Sequence, residues 1–533
     1  MNYLKRFLAG AIFGGYMAHL LYFLNPQIEI GPVRLVMITA IYALIGGVLF
    51  GTVLWLLRTV RVRLFGEPPA GSDGFGFIVA AALIASALYW IHLSVFHVGL
   101  LPIGAVRMLA KATNLITTTA FALLLLWFLA RSRKTQTVFA LGVALIAVSA
   151  FFLYQRRDRY RPEQQTVVVA NVGTIARERP VIVIAVRNLP YDWILTLTGE
   201  GGLPLFDQAR KSGYFTRLEP FPTLNPSALW ATLATGKLPF RHGVTGRFAY
   251  RTAINSGDAS DRFLIVPNGI GFRVWGLIPP VERISAQLPS GDALPVWSLF
   301  QRVGLRAAVI DWPGTRTSAP GTAPQSAVLQ RFNGAGAARD RIVQGLSADL
   351  TVAERIGASA ADRNNALVIG ALNGFEEAQR AVHIFTNDLP QRSTTKGEVL
   401  RAYAEQIDRM IGAIAQEFPD HLIVVVSPSG PVPQPIAATP YALVRDWFVS
   451  IDPGADDGFV LITGRGVAHP EKPEAAAPED LVPTVLYAAG LPVGRDMDGR
   501  VLTGAFTDEQ LRRNPLSLVQ TYEARQLVVR SHS

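Results

Sequence analysis

Five long stretches nearly free of charge, all before residue 156, constrain this chain more than any other feature. They cover residues 7–24, 35–57, 75–97, 114–130 and 138–154. A helix needs roughly 20 apolar residues to cross about 30 Å of hydrocarbon, and in lipid an open strand or loop leaves backbone groups unsatisfied. Five transmembrane helices are therefore expected over residues 1–155. Lys5 and Arg6 ahead of the first stretch imitate a signal peptide, but no small-residue cleavage site follows, so the helix is expected to be retained. Composition agrees: only 17% of the 533 residues are charged, against about a quarter in soluble globular chains. The net charge of +10 lies in short basic knots beside the apolar runs, which suits membrane flanks and argues against a nucleic-acid surface. The absence of cysteine excludes disulfides, thiolate zinc sites and cysteine nucleophiles. Small residues at Gly46-Gly47 and Ala81-Ala82 either permit close helix packing or simply reflect composition.

The basic residues also bear on orientation. With the N-terminus inside, the inner loops hold Lys5, Arg6, Arg58, Arg61, Arg63, Arg131, Arg133 and Lys134, and the outer side holds Arg34, Arg107 and Lys111. The positive-inside rule favours this arrangement. Five spans then put the C-terminal part in the periplasm of a bacterium, with the chain multi-pass in the inner membrane. The knot Arg156, Arg157, Arg159 and Arg161 opposes it, but the rule weakens ahead of a long domain.

Beyond a linker at 156–179, the chain changes character. Residues 181–186 (VIVIAV) form a continuous apolar run of the kind found in buried parallel strands. Similar runs lie at 307–310, 382–385, 422–426 and 459–462, with helical periodicity between them, notably at 396–418 and 481–489. This alternation predicts an α/β domain over 180–510, with helices on both faces of a mostly parallel sheet, and a tail at 511–533. Ligands of such folds sit beyond the carboxyl ends of the strands, so the residues after each run are the candidates.

At those positions four segments resemble a known family. Residues 181–193 (VIVIAVRNLPYDW), 222–244 (PTLNPSALWATLATGKLPFRHGV), 294–315 (LPVWSLFQRVGLRAAVIDWPGT) and 481–502 (LVPTVLYAAGLPVGRDMDGRVL) are similar to type I phosphodiesterases and nucleotide pyrophosphatases of the alkaline phosphatase superfamily. The resemblance implies that superfamily's domain, two divalent metals held by Asp and His, and a Thr or Ser that attacks phosphorus. Metal would hold the phosphoryl oxygens and lower the nucleophile's pKa. This chain departs from the pattern nearly everywhere. Arg187-Asn188 replaces the metal-binding Asp and its Gly. Asn225 stands at the nucleophile position, with Ser227 as a shifted fallback. The Asp-x-x-x-His pair reads Asp388 and Arg392, and Ser-Asp-His-Gly reads Ser427-Pro428-Ser429-Gly430. No His precedes Gly464-Arg465-Gly466, and His469 follows that turn.

One ligand-type residue, Asp388, thus survives of six, and a catalytic zinc needs about three protein ligands. The other histidines offer no replacement: His19, His92 and His97 belong to the spans, His532 to the tail, His242 to a framework turn, and His383 and His421 to strand starts. No cofactor is expected. The expectation is a pseudoenzyme whose Arg187, Asn225, Asp388 and Arg392 bind an anionic, phosphoryl-type group, or in which Arg187 pairs with Asp388 internally. Its partners would be the lipid bilayer and membrane proteins. The alternative is an active phosphodiesterase or lipid-headgroup phosphotransferase using zinc or manganese, because five spans ahead of such a domain also resemble phosphoethanolamine and lipoteichoic-acid transferases. Ala234-Thr235-Gly236-Lys237 lacks the upstream glycine spacing of a P-loop. Asp192, Asp311 and Asp498 read as turn residues, Arg247, Tyr250 and Arg251 as a solvated surface, and 471–480 as a loop.

Overall fold

A computed structural model describes residues 2–24, 32–65, 73–96, 103–130, 135–159, 179–220, 226–242, 244, 248–252, 262–263, 281–285, 293–315, 324–384, 389–431 and 457–523. Contacts divide the chain into two compact units. One holds the helices before residue 160 and the strands between 248 and 285, and the other holds the remaining elements.

The first unit contains helices α1 (Asn2–Leu24), α2 (Pro32–Phe65), α3 (Asp73–Phe96), α4 (Ile103–Ala130) and α5 (Thr135–Arg159). Three of them carry apolar stretches long enough to cross a membrane: Tyr3–Leu24, Leu35–Val53 and Gly104–Leu129. The stretches in α3 and α5, Ile78–Trp90 and Ala140–Gln155, cover only about 20 and 24 Å at 1.5 Å per residue. The glycines of α1 and α2 decide the question of small residues. A Cβ on Gly46 would lie 2.6 Å from the Gly10 carbonyl oxygen, and one on Gly51 would lie 2.8 Å from Phe7 Cα. The two backbones therefore touch, as in small-residue helix pairs of membranes. Polar side chains join the other helices. Tyr16 donates to the Ala81 carbonyl (2.8 Å), Thr119 meets Ser149 (2.7 Å), and His19 Nδ1 meets the Tyr154 hydroxyl (2.7 Å). The same unit includes an antiparallel sheet of order β4-β3-β5, made of β3 (Phe248–Thr252), β4 (Arg262–Phe263) and β5 (Val281–Ser285). Tyr250 and Arg251 fall on β3, and Arg247 lies outside the described residues.

The second unit is built on β1 (Val181–Val186), β2 (Tyr214–Leu218), β6 (Arg306–Ile310), β7 (Asn365–Leu372), β8 (Leu422–Ser429) and β9 (Asp457–Thr463). Their order is β2-β9-β8-β1-β7-β6. β8, β1, β7 and β6 run parallel, while β9 is antiparallel to both of its neighbours. Every residue of β1 is fully buried, and successive side chains alternate between two cores. Val181, Val183 and Ala185 face the core shared with α8 (Pro226–Thr235), α10 (Val296–Arg302) and α15 (Leu481–Ala488). Ile182, Ile184 and Val186 face α6 (Tyr191–Gly199), α7 (Pro204–Ser212), α12 (Arg339–Ala361), α13 (Gly374–Ala381) and α14 (Thr395–Glu417). Shorter elements complete the unit: α9 (Pro239–His242), α11 (Ser326–Gln330), α16 (Asp508–Arg513), and the pair β10 (Val493–Gly494) with β11 (Leu518–Val519).

Two expectations are corrected. Residues 382–384 are not a strand but the turn that ends α13, where His383 takes a φ of 56°. Phe385 lies outside the described residues. The strand in this part of the chain is instead β7, one of the two neighbours of β1. Its Gly370 leaves room for the Ile356 side chain, whose Cδ1 would lie 2.6 Å from a Cβ there. The residues read as a tail also contribute structure, because the Glu523 carboxylate accepts from Leu294 N (2.7 Å) and from Lys237 Nζ (2.7 Å). Lys237 also reaches Asp496 (2.6 Å) and is only 5% exposed. It is a buried tie for the C-terminal segment and has no role at a phosphate loop.

Removing one member of a buried charge group leaves the others uncompensated. Lys237→Met is expected to destabilise the protein by about 3–5 kcal/mol, read as a lower melting temperature of the full chain in detergent. Gly46→Leu should lower it through overpacking by about 1–3 kcal/mol, whereas Leu49→Ala, at an exposed position of α2, should leave it nearly unchanged.

Candidate functional site

β1 is sealed on both faces, so its first side chains able to meet solvent lie just past its end. Arg187 continues the ladder through its amide, which donates to the Leu372 carbonyl (3.0 Å). Asn188 then turns the chain with a φ of 62°, a left-handed conformation that Gly, Asn and Asp adopt most readily. Two anchors hold this turn. Gln379 Nε2 donates to the Asn188 carbonyl (3.1 Å), and Leu189 N donates to Ser427 Oγ (3.2 Å). Ser427 in turn donates to the Ser429 carbonyl (3.2 Å). At the end of β8, where the resemblance calls for metal ligands, the Ser427 hydroxyl is thus engaged in framework bonds.

Arg187 does not stand alone. Its Nε lies 2.5 Å from Glu376 Oε2, and Glu376 Oε1 accepts from Arg380 Nη2 (2.6 Å). Arg380 also approaches Glu377 (3.5 Å), so two guanidiniums and two carboxylates form one formally neutral chain along α13. The Glu376 side chain is 10% exposed and that of Arg187 is 27% exposed. The internal carboxylate partner observed for Arg187 is therefore Glu376, a residue that no sequence motif singled out.

Arg187 lines a crevice of about 180 Å³ together with Pro226, Ser227, Trp230 and Ala231 of α8, Val244, Pro313 and Gly314. The first turn of α8 supplies Ser227, so the partial positive charge of a helix start adds to the guanidinium. Trp230 forms the apolar wall and packs edge-on against Trp312 at 5.1 Å. His242 supports the wall from behind: its Nδ1 accepts from Val244 N (3.1 Å) and its Nε2 meets Thr232 Oγ1 (3.0 Å). Asp498 accepts from Leu238 N (2.8 Å) and from Arg241 Nε (2.9 Å), a framework role. A wider groove of about 690 Å³ involves Arg306 and Asn365 at the starts of β6 and β7. That is the opposite end from where α/β sheets place ligands.

Of the candidate residues, Arg187 and Ser227 come together at the crevice. Arg392 is exposed, and its charge acts on Glu200, whose carboxyl is held below its ordinary pKa first by the hydrogen bond from Arg401. Glu200 caps the far end of α6. Asn225 and Asp388 lie outside the described residues. Among the described residues, no group of three or more His, Asp or Glu is placed to hold a metal ion. His469 bonds to the Gly213 carbonyl (3.0 Å).

Behind the ion pairs, α13 is anchored by a buried acid. Asp349 accepts from Gly374 N (3.0 Å) and from the Tyr403 hydroxyl (2.9 Å). Burial pushes its carboxyl up to about 7, against the downward pull of the Gly374 amide and the Tyr403 hydroxyl. A Cβ on Gly345 would lie 3.1 Å from Gly374 Cα, so α12 and α13 meet closely at these glycines.

One family model matches more than half of the chain. The family described as type I phosphodiesterase / nucleotide pyrophosphatase matches residues 181–478. Among solved structures, a putative sulfatase from Bacteroides thetaiotaomicron is similar at 12% identity and a TM-score of 0.42, over 62% of this chain and 76% of that one. An inactive form of murine ectonucleotide pyrophosphatase/phosphodiesterase 5 in complex with AMP matches at 12% identity and a TM-score of 0.36, over 63% of this chain and 100% of that one. A protein of the alkaline phosphatase superfamily from Vibrio parahaemolyticus matches at 13% identity and a TM-score of 0.34, over 63% and 73%. The search of curated proteins finds no match.

The raised pKa of Asp349 sets a sign for pH dependence. Its folded value of about 7 exceeds the ordinary 3.8, so the folded state holds the proton more tightly than the unfolded chain does. This contribution is complete below the ordinary value and is lost as pH rises through about 7. Asp349→Asn should therefore flatten the fall in melting temperature across that window. An unchanged slope would assign the pH dependence to other groups.

Proposed function

Because the chain belongs to the type I phosphodiesterase / nucleotide pyrophosphatase family, whose domain is of the alkaline phosphatase type, we propose that it is a membrane-tethered member that binds an anionic group without hydrolysing it. The observation that carries this reading is the Arg187–Glu376 ion pair at the tip of β1. The family resemblance places a metal-binding carboxylate at this position. A guanidinium, paired with Glu376 at 2.5 Å, stands where the resemblance calls for a metal-binding carboxylate, and the hydroxyl of Ser427 nearby is turned into the framework. Such a donor set does not fit zinc or manganese, which need several carboxylate or imidazole ligands. It does suit a phosphoryl-type anion, which a guanidinium and a helix start bind without metal.

The membrane attachment rests on three helices long and apolar enough to cross a bilayer. We place the chain as a multi-pass protein of the bacterial inner membrane, with its α/β domain on the periplasmic side, from the bias of its basic loop residues. Helices beyond what an anchor requires leave surface for lipid and for membrane protein partners. One observation favours a second reading, an active metal-dependent phosphodiesterase or headgroup phosphotransferase: Ser227 lines the crevice beside Arg187, where a hydroxyl nucleophile would be useful.

Titration calorimetry of the full chain in detergent separates the two readings. Phenyl phosphate should bind the native protein with heat that disappears in Arg187→Ala, and purified protein should carry no stoichiometric zinc or manganese. Chelator-sensitive cleavage of a phosphodiester, lost in Ser227→Ala, would establish the enzyme instead.

A further inference from the structure

The carboxylate that neutralises Arg187 has a property the ion pair alone does not require. Glu376 uses its two oxygens on two different cations, with Oε2 on Arg187 Nε at 2.5 Å and Oε1 on Arg380 Nη2 at 2.6 Å. Arg380 is i+4 on the same helix and 43% exposed, whereas Glu376 is 10% exposed. If Arg187 turns toward a ligand, Glu376 keeps one guanidinium and is not left as an uncompensated buried charge, the outcome that makes breaking such pairs costly. The start of its helix is held independently, by Asp349 on Gly374 N. The carboxylate is therefore a fixed internal anion that competes for Arg187.

From this we infer that Glu376 determines which anions the crevice accepts. The inference rests on the anion-binding reading given above. An incoming phosphoryl group exchanges one charge-assisted pair at Arg187 for another, so the exchange by itself gains little. A bare inorganic anion brings nothing further. A phosphoryl group carried on an apolar or aromatic body also fills the wall of Pro226, Trp230, Val244 and Pro313, and that burial supplies the net affinity. The crevice of about 180 Å³ has room for a group the size of one ring, since a cavity of about 150 Å³ takes up benzene. The ligand class is thus a phosphate monoester on an apolar stem, and free inorganic phosphate is disfavoured by the protein's own carboxylate.

The test titrates inorganic phosphate and phenyl phosphate into the full chain in detergent, for the native protein, Glu376→Gln and Arg380→Leu. The native protein should prefer phenyl phosphate by about tenfold, and Glu376→Gln should gain about tenfold for inorganic phosphate and narrow that preference. Arg380→Leu leaves Glu376 with Arg187 alone and should weaken both probes. This second variant decides the matter if the melting temperature shows that Glu376→Gln is misfolded. Binding by the native protein that neither substitution alters would overturn the role of Glu376 while leaving the anion site standing. No binding of either probe by the native protein or by Glu376→Gln would overturn the anion site itself, and this inference with it.

Discussion

β1 lies between two hydrophobic cores with no exposed residue along its length, and most of the second unit is arranged around that constraint. A strand buried on both faces can carry no chemistry along its length. Whatever it presents must emerge at its carboxyl end, and here that is Arg187. The same burial makes the turn after it demanding. The chain must reverse within two residues, and Asn188 does so in the left-handed region. The shape of the strand tip is enforced by packing and by the hydrogen bonds of Gln379 and Ser427 to the turn.

The ion pair of Arg187 and Glu376 illustrates how a fold can accommodate a guanidinium at a strand tip. A guanidinium at a half-enclosed tip requires a counter-charge, and α13 supplies it from the next strand over. Glu376 is shared with Arg380, which gives the carboxylate a second partner and keeps the group close to neutral. Asp349 and Tyr403 beneath the helix hold its first turn in place. The crevice sets the Arg187 guanidinium beside an apolar wall of Pro226, Trp230, Val244 and Pro313, features of a binding pocket as much as of a catalytic one.

The first unit holds three helices long and apolar enough to cross a membrane. Its outward surface is rich in exposed Leu, Val, Phe and Trp, which in water would be a liability and in lipid is ordinary. Its helices meet by backbone approach at Gly10, Gly46 and Gly51 and by side-chain hydrogen bonds such as Thr119 with Ser149, the kinds of contact that hold helices together where apolar attraction is weak.

The apolar runs over β1, β6, β8 and β9, the helical periodicity of α14 and α15, and the charge-free stretches of the first unit were legible from the chain alone, because each is a local pattern set by burial and period. β7 was not: its run at 366–372 is as apolar as that over β6, but the long amphipathic helix α12 before it and the apolar run at 382–385 after it compete for the same place in the pattern. Missing β7 hid the residues just beyond its end, and Glu376 is among them. Its signal was faint, a Glu four residues before an Arg on a short helix, a pattern common on any solvated surface. By itself the sequence determined that Arg187 stands at the tip of β1, since that position follows directly from the apolar run preceding it. Only the tertiary structure decided which carboxylate answers that charge, because the partner stands on a neighbouring strand's helix nearly 200 residues away, and no periodicity spans such a distance.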